Sequence, residues 1–163
     1  MEHLWDLTAS EQARRVRDKS LSPVELVRAC LERSEVVQPK LNCFCFTYPE
    51  EAIEAARAAE AAVMRGDDLG PLHGVPVAIK DFTPTKGKTT TRGSAAFRDW
   101  VPDHDAVIVE RLAGAGAILL GKTTTPEFAY SSFTRSPLWG HTRNPWNASR
   151  NAGGSSGGSG VAV

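Results

Sequence analysis

Apolar residues recur at helical spacing through most of the first 70 residues, and the recurring segments begin at recognisable start signals. Two starts combine a hydroxyl side chain at the N-cap with a carboxylate three positions later: Thr8 with Glu11, and Ser22 with Glu25. A third helix is predicted from about Pro49 to Arg65, because an alanine- and glutamate-rich stretch ends at Gly66. The first part of the chain is therefore expected to be mostly helical.

Strand patterns separate and follow these helices. The short run of residues 42–48 is rich in aromatic and thiol side chains and is a strand candidate. Val75, Val77 and Ile79 then alternate around Pro76, which is typical of a strand. Because proline cannot donate to a sheet ladder, Pro76 indicates either the start of this strand or an edge position.

A helix and another strand are predicted next. Asp105 is placed to cap a helix over residues 106–113, and the apolar residues 117–120 after it form a buried-strand pattern. The segment Thr125-Pro126-Glu127 repeats the cap-plus-proline signal and predicts a further helix start. Strand, helix and strand at this spacing are typical of an α/β fold with parallel strand pairs.

Residues 131–163 have a different composition from the rest of the chain. They contain no acidic residue, three arginines, six glycines and seven serines, which a disordered linker would also have. Large apolar side chains such as Trp139 and Trp146 are unusual in a linker and favour an ordered, site-forming loop. The last five residues, 159–163, have the pattern of a first helical turn.

Charge and hydropathy limit the function classes. The 163 residues carry 19 basic and 19 acidic side chains, so the basic excess that nucleic-acid binding usually needs is absent. No apolar run approaches the roughly 20 residues that cross a bilayer, and the first six residues have neither a basic nor an apolar leader pattern. We therefore expect a cytoplasmic protein without a nucleic-acid or membrane partner.

Cysteine and histidine do not indicate a metal site. Cys30, Cys43 and Cys45 make an odd number, and free buried thiols are favoured over a disulfide or a metal pair. The four histidines are scattered without the spacing of a zinc hydrolase. We expect no metal and no organic cofactor.

Two features carry candidate chemistry. The glycine- and serine-rich run of residues 153–159 allows close backbone approach and left-handed backbone angles, although a flexible linker has the same composition. Lys80 directly follows an apolar strand, at the edge of a sheet where α/β folds bind ligands. A lysine there is either a solvated surface charge or, if burial lowers its pKa by about 2 to 3 units, a catalytic base.

One motif is misleading. Residues 116–123, Gly-Ala-Ile-Leu-Leu-Gly-Lys-Thr, fit the phosphate-binding pattern G-x-x-x-x-G-K-[ST]. A phosphate loop follows a strand and its variable residues turn around the phosphate. Here a predicted helix precedes Gly116 and the variable residues are themselves a strand pattern, so nucleotide binding is not expected.

Four segments together resemble the amidase signature family: residues 70–81, residues 116–128, residues 143–146 and residues 153–159. This resemblance implies an α/β fold in which helices wrap a mixed β-sheet. It also implies hydrolysis of carboxamide C–N bonds through an acyl-enzyme by a Ser-cisSer-Lys triad, with no cofactor and a small-molecule carboxamide as substrate.

The resemblance assigns roles residue by residue. Lys80 matches the family's basic lysine, and Ser155 matches the bridging serine on a cis peptide. Ser156 is expected to support the network, and the frame of Gly153 and Gly154 tolerates the strained peptide. Ala129 follows Pro-Glu-Phe at a position that borders the acyl pocket in similar enzymes.

The family's nucleophile lies in a Thr-Asp-x-Gly-Gly-Ser segment about two dozen residues beyond the bridging serine, where backbone N–H groups also form the oxyanion hole. This sequence stops at Val163, before that segment. We therefore interpret residues 1–163 as the N-terminal portion of one amidase domain, with a helical segment at 1–69 and the start of the signature core at 70–163. The isolated chain is expected to be inactive.

Two alternatives stay open at this point. The glutamine-dependent glutamyl-tRNA(Gln) amidotransferase has an amidase-type component that shares these motifs and works with partner subunits. A non-catalytic half could instead pair through an open sheet edge, either with a complementary C-terminal chain or with a second copy as a homodimer.

Overall fold

A computed structural model describes residues 3–163 of the chain. Met1 and Glu2, which form part of the leader argument, lie outside the described residues. The helices are α1 (Ala9–Arg17), α2 (Pro23–Leu41), α3 (Pro49–Arg65), α4 (Val107–Gly114) and α5 (Gly157–Ala162). The strands are β1 (Phe44–Thr47), β2 (Pro76–Lys80), β3 (Ile118–Thr123), β4 (Arg135–Ser136) and β5 (Gly140–His141). Single 3₁₀ turns occupy Leu4–Asp6, Ala95–Phe97 and Glu127–Ala129.

The chain divides into two compact units that alternate along the sequence. The first contains the residues up to Ser34, Tyr48–Val77 and Glu110–Leu120, and the second contains Glu35–Thr47, Ala78–Val109 and Gly121–Val163. Each unit is therefore assembled from separate stretches of sequence. The assignment of residues 1–163 to one larger domain stays a prediction.

The first unit holds two apolar clusters. One cluster contains the fully or nearly buried residues Val27, Leu31, Ala52, Ala56, Ala59, Ile118 and Leu120. The other contains Leu7, Val16, Leu21, Leu26 and Val63. Alanines every three or four residues along α3 let this helix pack closely, which explains why its alanine-rich face is buried.

The predicted helix starts are confirmed by the hydrogen bonds at the caps. The Thr8 hydroxyl accepts from the Glu11 amide at 3.2 Å, and the Ser22 hydroxyl accepts from the Glu25 amide at 3.3 Å. Helix α3 ends at Gly66, whose left-handed φ of 79° is favourable for glycine. Local sequence therefore determines the ends of these helices.

The main sheet has the strand order β1-β3-β2. Strand β1 is antiparallel to β3. Strand β2 is parallel to β3, because the Ile118 amide donates to the Val75 carbonyl and, further along both strands, the Asp81 amide donates to the Thr123 carbonyl. The sheet is mixed, which confirms the α/β class, and Pro76 begins β2 at an edge of the described sheet, as predicted.

Strand β3 is longer than predicted and includes the misleading motif. It runs through Gly121 and Lys122 to Thr123, so these residues form a strand and not a phosphate loop. At Gly121 a Cβ atom would collide with the Phe46 carbonyl oxygen of the paired strand. The glycine of Gly-Lys-Thr therefore allows two strands to approach closely.

Two sequence predictions about helix starts are wrong. Asp105 does not begin α4: its carboxylate accepts from the Lys86 amide at 2.6 Å, and the helix begins at Val107. Thr125-Pro126-Glu127 is followed by one 3₁₀ turn and not by an α-helix. The hydroxyl of Thr125 bonds the carbonyl groups of Pro126 and Ser155 and so caps no helix.

Residues 131–163 are held by hydrogen bonds that are distant in sequence. Strands β4 and β5 form an antiparallel pair, and Arg143 forms an isolated bridge with Asn151. The Thr134 amide donates to the Gly153 carbonyl at 2.8 Å. Helix α5 then begins at Gly157, two residues before the helical turn predicted from the sequence. Among the helices of residues 3–163, none has the length and apolar content needed to span a bilayer.

Candidate active site

The end of β2 brings Lys80 to two serine hydroxyl groups. Its Nζ lies 2.8 Å from Ser155 Oγ and 3.0 Å from Ser156 Oγ, within hydrogen-bond distance of both. The preceding residue, Ile79, is buried, while Lys80 is only partly buried. Alternation along β2 therefore turns the lysine away from the apolar side and toward the serines.

Glycines position the two serines. The peptide bond between Gly154 and Ser155 is cis, and Gly153 has a φ of 73°. A Cβ atom at Gly154 would come within 3.0 Å of the Ser131 carbonyl oxygen, and one at Gly157 would collide with the Thr134 side chain. The glycine run is therefore closely packed against its surroundings, which a flexible linker would not be.

Thr125 attaches the serine segment to the end of β3. Its hydroxyl donates to the Ser155 carbonyl at 3.2 Å, and it is almost fully buried. Beside it, Gly158 lies so close to Thr124 that a Cβ atom would overlap the Thr124 amide. These contacts fix the main chain on both sides of the Ser155 and Ser156 hydroxyls.

Burial lowers the pKa of Lys80 below its ordinary value of 10.5. As an ammonium the group donates to both serine hydroxyls. As a neutral amine it keeps a lone pair that can accept a proton from one of them. The arrangement can therefore move a proton between an amine and a hydroxyl.

A second lysine lies deeper, one strand away. Lys122 is fully buried, and its Nζ donates to the Thr83 carbonyl at 2.7 Å and to the hydroxyls of Thr85 and Thr90 at 2.9 and 3.0 Å. Three acceptors satisfy the three N–H bonds of an ammonium. Burial lowers its pKa to about 8, and the nearby charge of Asp81 opposes that shift.

Asp81 anchors the residue next to Lys80. Its buried carboxylate accepts from the Thr91 amide at 2.9 Å and from the Thr91 hydroxyl. Burial raises the pKa of Asp81, while the hydrogen bonds from Thr91 and the charge of Lys122 lower it. Sequence reasoning missed Asp81 as a supporting residue, although it ends the first of the four matching segments.

Ala129 lies in the 3₁₀ turn that follows Thr125. Both Phe128 and Ala129 have left-handed backbone angles, with φ of 50° and 55°. The Phe128 amide donates to the Arg92 carbonyl at 2.8 Å. Lys80, Ser155 and Ser156 are thus brought together directly, and Ala129 is four residues from the threonine that bonds Ser155. The catalytic and pocket roles given to these residues stay predictions.

Two other features do not belong to this cluster. A cavity of about 470 Å³ is lined by Arg135, Arg143 and Arg150 among others, and neither Lys80 nor Ser155 lines it. The three cysteines are free thiols, and burial raises the pKa of Cys30 and Cys43 to about 11. Within residues 3–163 no three metal-ligating side chains form a group that could hold an ion.

Known proteins match this chain along its whole length. The Amidase family model matches residues 25–163. The amidase-type component of the glutamyl-tRNA(Gln) amidotransferase of Acidothermus cellulolyticus is 44% identical over 163 residues, which is all of this chain and 32% of that protein. The indoleacetamide hydrolase of Bradyrhizobium diazoefficiens is 42% identical over 160 residues, covering 98% of this chain and 30% of that protein.

Solved structures give the same result. A bacterial aryl acylamidase of the amidase signature enzymes family superimposes with a TM-score of 0.91 at 34% identity, covering 96% of this chain and 33% of that one. The chain therefore spans about a third of the length of the relatives it matches. Since the family model covers most of the chain and the fold agrees, this chain belongs to the amidase signature family.

Proposed function

We propose that this chain is the N-terminal third of an amidase that hydrolyses carboxamide C–N bonds, with Lys80 as the base and Ser155 as the proton relay. One observation carries the proposal: Lys80 Nζ lies 2.8 Å from Ser155 Oγ. Membership of the amidase signature family supports it, and so does the name of the similar indoleacetamide hydrolase.

The chemistry follows from a lysine that can lose its proton. Neutral Lys80 accepts the Ser155 hydroxyl proton as Ser155 takes the proton of a nucleophilic serine, which attacks the amide carbon. An acyl–oxygen bond forms and the C–N bond breaks, while the proton returns through Ser155 to the leaving nitrogen. Water then releases the acid by the same relay. The nucleophile belongs to the family's Thr-Asp-x-Gly-Gly-Ser segment, so residues 1–163 alone are expected to be inactive.

The neighbouring residues have supporting roles in this proposal. Ser156 lies 3.0 Å from Lys80 Nζ and holds the amine in place. Gly153 and Gly154 let the main chain pass close to residues 131–133. Ala129 borders the space for the acyl group, and its 3₁₀ turn is connected to Ser155 through Thr125.

The substrate in this proposal is a small-molecule carboxamide, and the location is cytoplasmic. Three free cysteines in one chain are typical of a reducing compartment, which supports that location. The proposal includes no cofactor, no nucleic-acid partner and no membrane partner.

A second candidate function is that of the amidase-type component of a glutamyl-tRNA(Gln) amidotransferase. Such components from Acidothermus and Geobacter are 44% and 46% identical to this chain. Co-purification of the full-length gene product with two other subunits would favour this candidate. A free-standing enzyme, or one that forms a homodimer or pairs with a complementary chain, would purify without them.

Release of ammonia from simple carboxamides tests the proposal. In the full-length gene product, Lys80→Ala and Ser155→Ala are each expected to lower kcat/KM by about 10³-fold or more, since the proton relay is lost. Lys40→Ala, which removes an exposed lysine from the end of α2, is the matched control. Robust hydrolysis that survives Lys80→Ala would contradict the role of Lys80.

A further inference from the structure

Arg92 is held by aromatic rings near the Lys80 strand. Its guanidinium carbon lies 4.6 Å from the ring centroid of Trp100, 4.9 Å from that of Phe97 and 5.7 Å from that of Phe82. Contacts between a guanidinium and aromatic faces are attractive and restrict the side chain to one orientation. The charge is therefore fixed in place by rings and not by an acidic partner.

The N–H groups of this guanidinium have no acceptor in the described part of the chain. Nε is shielded from solvent and has no hydrogen-bond partner. Among residues 3–163, no side-chain hydrogen bond or ion pair of Arg92 is found. Buried polar atoms in proteins are nearly always paired, so a shielded guanidinium N–H without a partner indicates an acceptor from outside these residues.

The main chain places Arg92 between two parts of the candidate active site. Its amide donates to the Asp81 carbonyl at 2.9 Å, directly after Lys80. Its carbonyl accepts from the Phe128 amide at 2.8 Å, directly before Ala129. The residue is also in a left-handed conformation, with φ of 54°, which these two bonds maintain.

Nearby acidic groups do not neutralise Arg92. The carboxylate of Asp81 is occupied by the amide and the hydroxyl of Thr91. Glu127, which precedes Phe128, forms no ion pair within the described residues. A planar fork of N–H donors without a partner matches the two oxygens of a carboxylate.

We propose that Arg92 binds a free carboxylate group of the substrate, so that the preferred substrates are carboxamides that also carry a carboxylate. This inference rests on the proposed amidase function and specifies its substrate class. A neutral amide would leave the shielded N–H groups unpaired in the complex. A site built for a charged hydrogen-bonding group rejects the analogue that lacks it, so discrimination is expected to be strong.

A matched pair of substrates tests this specificity. Succinamate and succinamide differ only in whether the second carboxyl group is free or amidated, and longer and shorter homologues extend the comparison. In the full-length gene product we expect kcat/KM to favour the carboxylate-bearing member, and Arg92→Gln to lower that preference ratio at least tenfold. Arg98→Gln removes the same charge from an exposed residue of the same segment and is expected to leave the ratio unchanged.

Equilibrium binding separates this inference from the proposed function. Calorimetric titration of succinamate and its homologues is made in a Lys80→Ala background, where turnover does not interfere. At least tenfold weaker binding after Arg92→Gln, but not after Arg98→Gln, supports the site even if the Lys80 mechanism fails. Equal binding before and after Arg92→Gln overturns it. So does a parallel loss of both substrates with lowered thermal stability, which would mean that Arg92 only pairs with another part of the protein.

Discussion

Two lysines on neighbouring strands have opposite surroundings. Lys80 ends β2, is partly buried and has two serine hydroxyls as neighbours. Lys122 is fully buried in β3 and donates to three oxygen atoms. Burial lowers the pKa of both, but three acceptors and the charge of Asp81 stabilise only the ammonium of Lys122. The number of acceptors, and not depth alone, therefore separates a structural lysine from one that can exchange a proton.

The largest expected difference is in stability. Lys122→Met removes three buried hydrogen bonds and leaves Asp81 without its compensating charge, so a loss of about 3 to 5 kcal/mol in the free energy of unfolding is expected. Lys80→Met is expected to change it by less than about 1 kcal/mol. Denaturant unfolding of the full-length gene product measures both. Equal losses for the two variants would remove the distinction.

The interaction between Asp81 and Lys122 is expected to be strongly non-additive. Asp81→Asn alone leaves the Lys122 charge uncompensated, whereas the double variant with Lys122→Met removes both charges. The double variant is therefore expected to lose about 1 to 3 kcal/mol less than the sum of the single losses. A double-mutant cycle from the same unfolding data measures this coupling energy, and strict additivity would argue against an electrostatic pair.

The pH dependence of hydrolysis is expected to follow Lys80. The neutral amine is the active form, so kcat/KM rises with pH as this group loses its proton. Because burial lowers the pKa of Lys80, the ascending limb is expected below the ordinary value of 10.5. A pH–rate profile of the full-length gene product provides the measurement. An ascending limb that persists in Lys80→Ala would assign the titration to another group.

The smallest expected effect concerns the residue behind Asp81. Trp139 Nε1 donates to the Thr91 hydroxyl at 2.9 Å, and its ring packs edge-on against Phe46. Trp139→Phe keeps an aromatic ring and removes the donor, so a loss of about 1 kcal/mol is expected. Thermal and denaturant unfolding detect such a change. A loss several times larger would mean that ring packing and not the hydrogen bond is the main contribution.

Local signals in the sequence were sufficient for the helix caps and for the strand that presents Lys80. The cap of α1 involves residues three positions apart, and the alternation of β2 is complete within five residues. Strand β3 could also be predicted from its apolar residues, although its length could not, because Lys122 is buried by threonines of a distant loop.

Long-range contacts explain what the sequence could not predict. Thr125 has the local pattern of a helix cap, but the Ser155 carbonyl, 30 positions away, takes its hydroxyl. The aromatic rings around Arg92 come from three separate positions of an irregular segment without periodicity. Neither contact leaves a recognisable spacing, so each is visible only in the folded chain.

The free thiols provide built-in reporters of local opening. Cys30 lies in the first compact unit and Cys43 in the second, and burial raises the pKa of each to about 11. A shielded thiol with such a pKa reacts slowly with alkylating reagents until its surroundings open. The rates at which a mass spectrometer detects modification of Cys30 and Cys43 therefore report separately how often each unit opens, without any introduced label.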